Sequence, residues 1–240
     1  MITDINIFGE RNSGTNLLRV LLQSCNEGRN VSWYTKHAFP SIEQLTDCHR
    51  KRRWCPEGDP NILSDRNINV LISRNVYTWS LRMHQKRHEY DLDVDQYTRT
   101  QLLTEEFMSD HERLYIRLHP QESICQGPAE YFASFLPYRG IIDLRNKKYK
   151  RWIELLSRSN LVILNYDKLI GLDEEEFCKL QSVCNVEVDL AKEIQPNTVL
   201  ESHYLNKHLI EKDFDKETLD ILHSKIDWQL EEKLGYNYYA

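Results

Sequence analysis

The sequence of 240 residues predicts an α/β fold of three layers, with helices on both faces of a mainly parallel sheet. Three observations carry that prediction. Short apolar strands alternate with stretches of helical periodicity, the first strand runs directly into a glycine-bounded loop and a helix, and no Pro/Gly/Ser-rich linker divides the chain. With 40% hydrophobic residues this length buries a large core, so one domain over residues 1–240 is expected.

The first element is the most informative. Ile5 and Ile7 alternate with polar neighbours as in a strand, and Leu17, Leu18, Leu21, Leu22 and Cys25 then fall on one face of a helix. Between them Gly9-Glu10-Arg11-Asn12-Ser13-Gly14 has the glycine separation of a P-loop, in which backbone N–H groups and a helix N-terminus meet phosphate oxygens. A nucleotide triphosphatase would continue with Lys and then Ser or Thr for the β/γ-phosphates and Mg²⁺. Thr15 and Asn16 stand there instead, so the loop suits a different phosphate ester.

The Ser13-Gly14-Thr15 turn after the first strand resembles the 5′-phosphosulfate loop of the sulfotransferase family. That family moves a sulfonate group from 3′-phosphoadenosine 5′-phosphosulfate (PAPS) to a hydroxyl or amine. The resemblance implies a P-loop-like sulfotransferase fold and a 5′-phosphate held by Arg11, Asn12, Ser13, Gly14, Thr15 and Asn16. The family usually carries a lysine immediately before Ser-Gly-Thr, to stabilise the bridging oxygen as the S–O bond breaks. Here Asn12 holds that place, so Arg11 or Lys36 is expected to supply the charge.

A β-prone run from Val31 ends at Lys36-His37-Ala38-Phe39-Pro40 and is similar to the family's Lys-Thr-His-Leu-Pro segment. The resemblance makes His37 the catalytic base. A strand end in an open α/β sheet faces the ligand crevice, and imidazole titrates near neutrality. A surface or capping histidine is the bland alternative.

Ile68–Ser73 forms an apolar strand that ends at Arg74-Asn75-Val76 and passes into a helix, which resembles the family's Arg-Asn-Pro motif for the 3′-phosphate. Arg74 would offer two parallel N–H donors to that phosphate. The position eight residues after Arg74, normally serine, is Arg82, and Ser80 lies about 200° away around a helix. Either Arg82 makes the second contact or the local geometry shifts to admit Ser80. Farther on, Ile141–Trp152 is expected to precede a helix, and its Arg145, Lys147 and Lys148 read as a solvated basic cluster or an anion contact. Asn160–Leu169 reads as another buried strand, with Asn165-Tyr166-Asp167-Lys168-Leu169 resembling a strand-end motif of the same family.

The remaining features give architecture. Residues 89–140 are polar and irregular with interspersed aromatics, and are expected to form a variable acceptor-binding insertion or a helical cover. Asp173 with Glu176 starts a helix, and Leu219, Leu222, Ile226, Leu230 and Leu234 form one stripe before Gly235.

Net charge is −6, so no broad nucleic-acid surface is expected and anion binding must be local. No apolar run approaches a membrane span, and the first strand begins almost at Met1, so no membrane association and a cytoplasmic location are expected. Six cysteines without C-x-x-C spacing are expected to stay unpaired. Cys48, His49 and Cys55 do not make a four-ligand zinc set, and no metal is expected.

The resemblance implies a sulfotransferase using PAPS and releasing 3′-phosphoadenosine 5′-phosphate (PAP). The acceptor is of unidentified class, with carbohydrate among the candidates. A P-loop nucleotide kinase and a catalytically silent PAP-binding module are the alternatives.

Overall fold

The computed structural model describes residues 2–10, 12–33, 64–85, 97–107, 138–186 and 213–237. Among these residues four strands make a parallel sheet: β1 (Asp4–Phe8), β2 (Asn30–Trp33), β3 (Asn67–Ser73) and β6 (Asn160–Asn165), in the order β2-β1-β3-β6. Two short strands, β4 (Glu106–Phe107) and β5 (Tyr138–Arg139), pair antiparallel outside it. The helices are α1 (Thr15–Ser24), α2 (Val76–Gln85), α3 (Arg99–Thr104), α4 (Ile141–Leu156), α5 (Tyr166–Ile170), α6 (Glu174–Gln181), α7 (Lys216–Lys225) and α8 (Trp228–Lys233).

Alternation along the strands sorts the core into two faces. Ile5, Ile7, Val70, Ile72 and Leu164 pack against α1, α5 and α6, while Phe8 and Leu71 pack against Tyr149 and Trp152 of α4 and Leu230 of α8. The sheet is therefore the middle of three layers, as the sequence predicts. A third cluster joins α2, α3, α7 and the start of α4 through Tyr77, Trp79, Leu103, Ile142 and Leu222.

Chain order positions the candidate site. α1 leads from β1 to β2 on one face, and α4 enters β6 from the other, so the direction of winding reverses between β1 and β3. A crevice opens at such a reversal beyond the strand ends. The glycine loop leaves β1 there, and Arg74 leaves β3 beside it.

Several sequence expectations change in detail. Ile141–Trp152 is itself helix rather than a lead-in to one, because Ile141, Ile142, Leu144, Arg145, Lys148, Tyr149 and Trp152 share a buried face. The strand expected over residues 160–169 ends at Asn165, whose side chain caps the Lys168 N–H and starts α5. The C-terminal stripe divides into α7 and α8, since Asp227 caps Leu230 and opens a new helix. Asp173 caps Glu176 at the start of α6 as expected.

One expectation about cysteines fails. Cys25, the last residue of the α1 face, forms a disulfide with Cys184 across a separation of 159 residues. Local spacing does not reveal such a pair. It arises because α1 and the segment after α6 pack on the same face of the sheet.

Candidate anion site at the strand ends

The loop after β1 is shaped by close approach. A Cβ on Gly9 would lie 2.7 Å from the Ile72 carbonyl oxygen, and one on Gly14 would lie 2.2 Å from the Tyr166 ring. Gly14 also has φ +99°, and Asn12 has φ +60°, so the chain turns twice through left-handed conformations. Both the Ser13 hydroxyl and its N–H donate to the Glu10 carbonyl, the latter at 3.1 Å. Ser13 is thereby a buried tie within the loop. Gly14 caps α1 without a side-chain hydrogen bond, which leaves the first turn's N–H groups facing the crevice end. Thr15 is buried and Asn16 exposed.

Glu10 brings a buried carboxylate into this loop. It lies 2.9 Å from the ammonium of Lys148, which is itself buried. The ion pair cancels a charge that would otherwise repel phosphate. Asn12 donates to the Met83 sulfur at 3.3 Å and so fastens the loop to α2.

Arg74 sits beyond β3 with its guanidinium carbon 4.1 Å from the centre of the Tyr166 ring. The same ring covers Gly14, so Tyr166 is the contact between the loop and the Arg74 turn. A small pocket adjoins them, lined by Arg74, Thr78, Leu81, Arg82, Gln85, Tyr166 and Asp167. Two guanidinium groups give this small pocket a basic lining, with the Asp167 carboxyl at its edge.

Asp167 is buried; its carboxyl accepts the Asn75 N–H at 2.6 Å and lies 3.0 Å from the Tyr236 hydroxyl. Burial pushes its carboxyl above the usual range, against the opposing effects of the Asn75 N–H and Arg74.

The structure separates the two candidates on α2. Arg82 lines the pocket beside Arg74 and reaches Gln85 at 3.4 Å. Ser80 is buried and its hydroxyl donates back to the Tyr77 carbonyl at 2.9 Å, so it is not brought to the pocket. The basic run on α4 is structural. Arg145 grips Glu231 at 2.8 and 3.0 Å, Lys147 pairs with Asp143, and Lys148 pairs with Glu10. Burial opposes the Arg145 charge, and the Glu231 carboxylate outweighs it, so the guanidinium stays protonated.

Arg11, Lys36 and His37 lie outside the described residues, as do Cys48, His49, Cys55 and most of 89–140. Among the described residues no group of three or more His, Cys, Asp or Glu side chains could hold a metal, and no helix is long and apolar enough to cross a membrane.

Sequence reasoning did not find Tyr149 and Tyr236, which hold the site's backbone, nor Glu231, which grips the Arg145 that reaches the Arg74 carbonyl. Nor did it pair Glu10 with Lys148, because the burial of both side chains shows only in the fold. Comparison with protein-family models, with curated proteins and with solved structures finds no match to this chain. What the fold and site define is an α/β protein with an anion-suited crevice at the reversal point of a parallel sheet.

Proposed function

We propose that this chain is a sulfotransferase that uses PAPS. The observation that carries the reading is the shared contact at Tyr166, which brings the uncapped start of α1 and the Arg74–Arg82 pocket to one crevice. A nucleotide with phosphates on both its 5′ and 3′ positions matches two anion sites set side by side. The residues present fit such a group: Gly9 and Gly14 let the loop pack tightly against Ile72 and Tyr166 beside the start of α1, and the pocket supplies two guanidinium groups.

In this reading the backbone from Asn12 to Asn16 holds the 5′-phosphate, and Arg74 with Arg82 holds the 3′-phosphate. His37 takes the proton of the acceptor hydroxyl as its oxygen bonds to sulfur. The bond from sulfur to the bridging phosphate oxygen breaks, and Arg11 with Lys36 balances the charge left on PAP. The chemistry needs no metal, because side-chain cations meet the departing phosphate. The acceptor remains an alcohol or amine of unassigned class, a carbohydrate among the candidates.

One observation favours a second reading. Asn12, in the family's lysine position, is engaged with Met83, which suits a module that binds PAP without turnover.

Calorimetric titration with PAP in chelator, against ATP and adenosine 5′-phosphosulfate, tests the binding half of the proposal. Binding that needs the 3′-phosphate and disappears in Arg74→Ala is expected. Preference for Mg-ATP would turn the assignment to a nucleotide kinase. Sulfonate transfer to an acceptor panel, lost in His37→Ala, then separates the enzyme from the silent module.

A further inference from the structure

The backbone that carries Arg74 is held by an unbroken row of buried donors. Leaving β3, the carbonyl of Ile72 accepts from the Tyr149 hydroxyl at 3.0 Å, that of Ser73 from the Tyr236 hydroxyl at 2.8 Å, and that of Arg74 from Arg145 at 2.8 Å. At the exit from a strand these groups commonly meet water. Here each partner is a buried side chain, so the turn cannot shift without breaking a buried hydrogen bond.

The two phenols differ in what else they touch. Tyr149 also accepts the Glu10 N–H at 3.2 Å, which ties the phosphate loop to β3. Tyr236 instead reaches Asp167 at 3.0 Å, and Asp167 accepts the N–H of Asn75, the residue after Arg74. Burial raises both phenols, Tyr149 to about 12 and Tyr236 well above its ordinary value, so each stays a protonated donor.

We propose that Tyr149 and Tyr236 are positioning residues of the anion site with separate targets. Tyr149 sets the phosphate loop against β3, and Tyr236 sets the turn that aims Arg74. The inference rests on the two-phosphate reading above. Neither residue touches the ligand, and each acts through the backbone it holds.

The test is calorimetric titration of wild type, Tyr236→Phe and Tyr149→Phe with PAP and with adenosine 5′-phosphate, alongside thermal melts. Wild type should prefer PAP. Tyr236→Phe should weaken PAP about tenfold while adenosine 5′-phosphate stays within about twofold, whereas Tyr149→Phe should weaken both ligands alike and keep the preference. Glu231→Gln loosens Arg145 on the Arg74 carbonyl and should narrow the preference as Tyr236→Phe does, which keeps the test open if that variant folds poorly. Equal losses for both ligands in both tyrosine variants, tracking their melting temperatures, would reduce the phenols to general packing and overturn the inference. A wild type that ignores the 3′-phosphate would overturn the two-phosphate reading first, and the positioning roles with it.

Discussion

The hydroxyl of Tyr236 has one hydrogen and two acceptors, the Ser73 carbonyl at 2.8 Å and the Asp167 carboxyl at 3.0 Å. Both contacts become hydrogen bonds when Asp167 carries a proton of its own and donates it to the phenol oxygen. Burial favours that protonated form, since it raises Asp167. The consequence for stability has a definite sign. Below the ordinary carboxylate range folded and unfolded chains both hold the proton. As pH rises, the unfolded chain releases it first, and stability falls until the pH has passed the raised folded value. Asp167→Asn removes this slope, so the variant's melting temperature relative to wild type should climb as pH rises from the ordinary carboxylate range toward neutrality. A difference that stays flat across that range would show that Asp167 ionises as freely in the fold as outside it. At this scale the sequence was partly legible: Arg74 stood out by its place after a strand, while between Arg82, eight residues farther on, and Ser80 the sequence did not choose, since it does not show that the Ser80 hydroxyl is spent on the Tyr77 carbonyl.

Among the elements, α1 is anchored at both ends by different means. Its start packs under Tyr166, and its end is joined to the segment after α6 by the Cys25–Cys184 disulfide. The Cys25 carbonyl also accepts the N–H groups of Asn185 at 3.1 Å and Val186 at 3.3 Å, so the two chain segments are held by backbone as well. Breaking the link by reduction, or by Cys184→Ser, should cost about 2–5 kcal/mol, because a long loop regains freedom in the unfolded chain. Thermal melts with and without reductant check this. Wild type should melt lower in reductant and Cys184→Ser should not respond, while a wild type indifferent to reductant would exclude the link as a source of stability. The elements themselves were legible where periodicity was strong. β1, α1, β3 and α6 follow from alternation, a helical stripe or a capping acid. The division between α7 and α8 was not, because one apolar stripe runs through Ile226 while the backbone breaks at Asp227. A pairing across 159 residues leaves no local trace.

For the molecule as a whole, the C-terminal segment closes the far face of the sheet and reaches through to the crevice. Leu230, Leu234 and Tyr236 pack with Phe8, Leu71 and Trp152, and Glu231 meets Arg145 with both side chains wholly buried. Such a pair gains little over an apolar pair of equal volume, yet removing one partner strands a charge in the core. Glu231→Ala should therefore cost about 3–5 kcal/mol in urea denaturation, and the double variant Arg145→Met/Glu231→Leu should recover most of it. Additive losses in this cycle would mean that the pair is not coupled. The cycle also separates two roles of Arg145, since its other donor holds the Arg74 carbonyl. The double variant should regain stability without regaining affinity for PAP: methionine restores packing but offers no N–H to the Arg74 carbonyl. If affinity returned together with stability, the clamp on the Arg74 turn would be unnecessary, and the C-terminal segment would serve the crevice only by covering the sheet.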